Sequence, residues 1–279
     1  MNYVKPAIAC AAFVAAGVVF TTAASAADLP LLPEPPPPVA VEAFGGWYLR
    51  GDIGVSSQQV DKITNSVLPT PGNSVEFLDQ SFDSAGFVGV GVGYRFNNWL
   101  RVDVTGEYRA PSSFSGLDRV DIGNDGDFDS TNIWTANKTE YVGLLNLYLD
   151  LGTWYGVTPF VGAGAGFAHV QIDDLRDVNI HAPGGSVFYA DDGARTNFAW
   201  ALYAGLGYEA SERLSLEVAY RYLSMGDGEA GDLRPYCCGT GQPDKTTFHD
   251  LTSHDVKVGM RWNLQGPAPV YGGPISRSF

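Results

Sequence analysis

The chain has 279 residues, and its 31 acidic side chains against 17 basic ones give a formal net charge of −14. That balance excludes a nucleic-acid surface, which needs clustered Lys and Arg to neutralise phosphates. Beyond the N-terminal stretch no run of about 18 apolar residues exists, which excludes a helical membrane anchor.

In chain order, Lys5 precedes an apolar stretch from Ala7 to Phe20 and the small residues Ala24-Ser25-Ala26. A positive start, an apolar core and an A-x-A site predict a secretory signal peptide over 1–26. Residues 27–45 follow as a Pro-rich spacer, because Pro35 to Pro38 impose polyproline II and forbid sheet pairing. An apolar/polar alternation of period two then recurs eight times. Its clearest copy, Trp99 to Arg109, puts Leu100, Val102, Val104 and Tyr108 on one side and Arg101, Asp103, Glu107 and Arg109 on the other. Strands are predicted near 46–57, 84–96, 99–109, 141–152, 158–170, 197–209, 214–223 and 254–264. Each is long enough to cross a bilayer when tilted. The connections at 97–98, 153–157 and 210–213 are tight, while those at 58–83, 110–140, 171–196 and 224–253 are long. An even strand number with alternating short and long connections predicts an all-β, eight-stranded antiparallel transmembrane β-barrel over 46–264, placed in the outer membrane. Both ends of the chain then lie in the periplasm, the C-terminal one as a Gly/Pro-rich tail over 265–279. Either tail is also a candidate for peptidoglycan contact, against the simpler reading as linker.

One parity collects a lipid face that includes Leu49, Ile53, Val90, Leu147, Val161, Leu206, Val218 and Val258. Trp47, Trp99, Trp154 and Trp262 fall at periplasmic strand ends and Trp200 near the outer rim, where indole rings suit the membrane interface. The opposite parity carries Arg50, Arg95, Arg101, Arg109, Arg221, Lys257 and Arg261 with Asp52, Asp103, Glu107, Asp150, Glu209, Glu217 and Asp255. An eight-stranded barrel is only wide enough for side chains to fill it, so these charges are expected to pair as a lumenal ion-pair network. Glycines on that parity, Gly89 to Gly93 and Gly162 to Gly166, leave room for long side chains. The alternative is a narrow porin for small solutes, in which a wet path survives between the charges.

The four long connections hold 20 acidic and 7 basic residues, so the net charge is a property of the outer surface. Outer-membrane lipids are the expected partner there, with divalent cations bridging carboxylates to anionic headgroups. Asp125, Asp127 and Asp129 have the spacing of a calcium loop, yet Ser130 and Ala136 stand where its glycine and bidentate Glu belong. No specific metal site is therefore assigned. The adjacent Cys237 and Cys238 are the only thiols after the signal peptide; strained vicinal, intermolecular and free states all remain open. Ser253-His254-Asp255 supplies nucleophile, base and acid types, but strand neighbours point to opposite faces. The reading is non-enzymatic, with no cofactor.

Gly46-Trp-Tyr-Leu-Arg-Gly-Asp-Ile-Gly54, Val157 to Phe167, Asn197-Phe-Ala-Trp200, Ala219-Tyr-Arg-Tyr222 and Ser253 to Trp262 resemble the opacity-type, porin-family small outer-membrane proteins of alphaproteobacteria. The similarity spans Gly46 to Leu264 and is stronger in the strands than in the loops. It implies an OmpA/OmpX-like barrel that serves envelope integrity and surface interactions, with no catalytic residues to transfer. Such barrels end on an aromatic residue of the last strand, whereas here a tail follows Leu264.

Overall fold

The computed structural model describes residues 45–64, 73–180, 185–237 and 244–265. The expected signal peptide, all but the last residue of the spacer, all but the first of the tail, and Cys238 lie outside the described residues. The strands are β1 (Gly46–Gln59), β2 (Lys62–Thr64), β3 (Asn73–Phe82), β4 (Ala85–Arg95), β5 (Leu100–Ile122) and β6 (Ser130–Asp150). They continue as β7 (Val157–Asn179), β8 (Val187–Ala190), β9 (Gly193–Glu209), β10 (Leu214–Cys237) and β11 (Asp244–Asn263).

Eight of these form a ring. The antiparallel pairs β1–β4, β4–β5, β5–β6, β6–β7, β7–β9, β9–β10 and β10–β11 are closed by β11 returning to β1, from Tyr48↔Asn263 to Gln59↔Thr252. Closure leaves no free strand edge, the condition for β-structure in a bilayer. The three short connections are held by local chemistry. Asn97 Oδ1 accepts the amides of Trp99 and Leu100 at 2.9 and 2.8 Å, and Ser211 Oγ accepts that of Leu214 at 3.1 Å. Trp154 and Val157 exchange both backbone bonds around Tyr155 (φ 53°) and Gly156 (φ 81°), a two-residue hairpin loop of the left-handed kind that matches strand twist.

The outward face is apolar over one membrane thickness and is bounded by aromatic rows. At the short-turn end Trp47 and Tyr94 meet edge-to-face at 5.4 Å, and Tyr94 meets Phe96 at 5.0 Å. At the other boundary Tyr108, Tyr141 and His169 form one run; Trp200, Tyr222, His254 and Tyr220 form another. Such girdles mark both water interfaces of an outer-membrane barrel.

Most of what the sequence reads as long loops is strand. β5, β6, β7 and β10 run to 23, 21, 23 and 24 residues, about twice the 9–11 that a bilayer requires. The ring therefore rises well past the outer aromatic row. There β3 pairs with β5, β2 with β11, and β8 joins β7 to β10. Period two fails to reveal these extensions for two reasons. Their outer face meets water, so it is polar. Bulges also reset the phase: two residues, Ala110 and Pro111, oppose one of β6 between Arg109↔Glu140 and Ser112↔Lys138. Asp174 (φ 54°) and Asp250 (φ 52°) mark comparable slips in β7 and β11.

A closed ring with saturated backbone bonding resists detergent until heated. The unboiled, detergent-extracted protein is expected to migrate away from its boiled form in electrophoresis and to show sheet-dominated circular dichroism. Identical mobility before and after boiling would contradict closure.

Candidate functional site

The candidate site is the lumen, which the inward parity of eight strands fills. Arg50 on β1 anchors its lower part. Its Nε and Nη2 donate to Asp52 at 2.9 and 2.8 Å, and its Nη1 donates to Asp103 at 2.7 Å and to the Tyr148 hydroxyl at 3.0 Å. Arg101 clasps Asp150 through Nε and Nη2, and its Nη1 reaches Glu217 at 3.1 Å. Arg261 lies 2.7 Å from the same Glu217, and Lys257 sits between Asp52 (3.4 Å) and Glu107 (3.7 Å). One layer higher, Arg221 binds Glu107 with both terminal nitrogens at 2.6 and 2.7 Å and gives Nε to Asp255. Arg109 shares Asp255 and adds Glu140 at 2.7 Å, with Lys138 2.6 Å from that carboxylate.

The structure thus brings together twelve of the fourteen residues read from parity, and it leaves two out. Glu209 is exposed at the end of β9 and makes no ion pair among the described residues. Arg95, at the end of β4, is half-buried and likewise lacks a carboxylate partner. Both end a strand beside a turn: Glu209 stands clear of the wall there, and Arg95 is enclosed only in part. Their places are taken by Lys138 and Glu140, which the sequence reading leaves in a loop because alternation fails near the β5 bulge. Seven cations still meet seven carboxylates. Glycines make space for this crowd: a Cβ on Gly93 would run into the Tyr48 ring, and one on Gly162 into Tyr148.

Above the charges the lumen becomes apolar. Phe82, Phe114 and Phe248 stack with centroids 5.0 to 6.0 Å apart, and Lys138 Nζ lies 4.2 Å from the centre of the Phe82 ring. Trp134, Ile172, Leu175, Leu223, Met225 and Leu251 complete a buried cluster inside the extended wall. The sequence reading missed this upper core; its signal was the apolar content of segments that look like loops.

The family described as outer membrane protein beta-barrel domain matches residues 12–263. The chain belongs to this family. An uncharacterized protein of Brucella melitensis is 34% identical over 292 residues, covering 94% of this chain and 100% of that one. A Rickettsia bellii protein whose name makes it a candidate adhesin is 25% identical over 220 residues, covering 78% and 88%. Among solved structures, the outer membrane protein OprG of Pseudomonas aeruginosa is similar at a TM-score of 0.45 and 16% identity, over 79% of this chain and 97% of that one. Family membership places the protein in the outer membrane.

The Ser253-His254-Asp255 run does not assemble on this barrel. Ser253 and Asp255 face inward and hold Arg109, while His254 faces outward, 2.6 Å from the Tyr220 hydroxyl. The acidic tip between β5 and β6 also uses its carboxylates locally. Asp121 accepts the amides of Asp125 and Gly126 at 3.1 and 2.9 Å, and Asp129 accepts that of Ile122 at 2.7 Å. Among the described residues no group of three metal-ligating side chains converges.

The extension carries one buried acidic pair. Asp118 accepts Asn132 Nδ2 at 2.7 Å and Trp134 Nε1 at 2.8 Å, yet burial still raises its pKa. Asp177 lacks such donors, since its Oδ1 has no partner. Burial, with Asp118 nearby, pushes it up to about 7 from 3.8. A raised carboxyl pKa costs the folded state nothing below the unfolded value. Its penalty develops as pH rises from about 4 to about 7. After division by the intrinsic base-catalysed rate, amide exchange in the outer parts of β6 and β7 is therefore expected to quicken across that window, and Asp177→Asn to remove most of that excess. Unchanged pH dependence in the variant would contradict this assignment.

Removing one member of the lumenal network strands its partners. Arg101→Ala is expected to cost roughly 3–5 kcal/mol in urea unfolding. Arg119→Ala, which breaks an exposed pair with Glu76, should cost at most about 1 kcal/mol. Equal losses would contradict a tightly paired lumen.

Proposed function

We propose that the protein is a non-enzymatic structural barrel that supports outer-membrane integrity and presents an extended surface for interactions outside the cell. One observation carries this reading: the lumen is packed along its length, first with paired charges and then with aromatic and aliphatic side chains. Charges locked in short ion pairs beneath a largely apolar buried cluster speak against a wet route for solutes. That weighs against the narrow-porin alternative. The separation of His254 from Ser253 and Asp255 weighs against that run as a catalytic group. The tall outer wall supplies the surface, and the Rickettsia relative's name is consistent with such a role. Acidic residues on that wall are suited to divalent cations bridging to anionic lipid headgroups.

Two measurements test the proposal together. The purified barrel in planar bilayers is expected to give no reproducible channels. A deletion strain is expected to become sensitive to detergent and chelator, with rescue by Arg119→Ala as well as by the unaltered gene. Regular single-channel steps with an undisturbed envelope would overturn this reading in favour of the porin.

A further inference from the structure

The ion-pair network is balanced in number but not in space. Glu217 is shared by three guanidinium groups: Arg261 at 2.7 Å, Arg101 at 3.1 Å and Arg50 at 3.4 Å. Arg101 has Asp150 to itself, and Arg50 has Asp52 and Asp103. Arg261 has only its share of Glu217. It is almost fully buried, and its Nη1 finds no acceptor. Arg95 stands directly across from Arg101 in the β4–β5 register, pairs with no carboxylate among the described residues, and buries its Nε without a partner there. Arg101 links the two, since it neighbours Arg95 in the register and shares Glu217 with Arg261. The short-turn mouth of the lumen is therefore a positive cup with two unanswered, buried guanidinium donors. Buried donors without acceptors are costly, and a guanidinium fork matches an oxyanion.

We propose that this mouth is a binding site for a single oxyanion, a phosphate or carboxylate group held by Arg95 and Arg261. Access comes from the short-turn side, because Arg95 is only half-buried and Glu209 turns out to solvent instead of filling the cup. Gly207 adds room, since a Cβ there would stand 3.8 Å from Arg261 Nη2. A tetrahedral phosphate offers three or four acceptor oxygens in different directions, whereas a carboxylate offers two in one plane. The two anion classes are therefore separable by affinity.

The test is calorimetric titration of the refolded full-length barrel in low-chloride detergent buffer, with inorganic phosphate in one series and acetate in another. Saturable one-to-one binding of at least one anion is expected. Arg95→Gln should weaken it about tenfold or more, the loss of a charge-assisted bond. Arg119→Gln, on the exposed wall, should leave it unchanged. Arg95 belongs to no ion pair, so its variant keeps the network, as heat-dependent mobility will show. On the unaltered barrel, the Nε–H resonances of Arg95 and Arg261 should shift on adding the bound anion, a readout independent of any variant. Absence of saturable binding, equal affinity in Arg95→Gln, or unmoved Nε–H resonances would overturn the proposal.

Discussion

Everything in this molecule follows from the pairing of β11 with β1. A lipid-facing sheet cannot leave backbone N–H and C=O groups unpaired, because hydrocarbon offers them nothing. Seven antiparallel pairs accumulate that debt at two edges, and the eighth, running from Tyr48↔Asn263 to Gln59↔Thr252, removes both edges at once. Once the ring closes, the period of two divides every residue into one that meets lipid and one that meets the lumen. The aromatic rows then mark where lipid ends. Beyond the outer row the same pairing continues with water outside, and β2, β3 and β8 can add to it.

Closure also dictates what the interior must be. Eight strands enclose only the volume of their own side chains. Charges that enter such a space have to bring their counter-charges, and seven cations meet seven carboxylates there, many by two-pronged contacts. Glycine on the inner parity is part of the same solution, since the Tyr48 and Tyr148 rings lie where a Cβ of Gly93 or Gly162 would be. Farther out, where the wall stands clear of the membrane, the interior changes to the Phe82, Phe114 and Phe248 cluster. An apolar core suffices there to hold the extension together, as it does in a protein in water. Asp118 and Asp177 interrupt it as a buried acidic pair of which only one member has found donors.

The membrane band was legible in the sequence because lipid enforces strict alternation. Val88, Val90 and Val92 against Gly89, Gly91 and Gly93 are one of eight such copies. The extensions were not legible, because outside the membrane the outward face holds Ser113, Ser115 and Thr135 as readily as Leu117. The bulge at Ala110-Pro111 also flips the phase. That slip hid Lys138 and Glu140, which belong to the lumen although they sit in an apparent loop. The opposite error concerns Arg95 and Glu209. Their parity is inward, but parity cannot say whether the wall still encloses a side chain at the last residue of a strand. The unequal sharing of Glu217 is likewise a matter of reach across the lumen, which no spacing along one strand encodes.

The central claim is that the ring is closed, and hydrogen exchange at the β1–β11 seam tests it most directly. In detergent-solubilised protein, amides of Ile53, Val55, Val256 and Val258 should exchange as slowly as those of Thr105 and Leu144 in the middle of the β5–β6 pair. Fast exchange confined to β1 and β11 would reveal an open edge there and contradict the account.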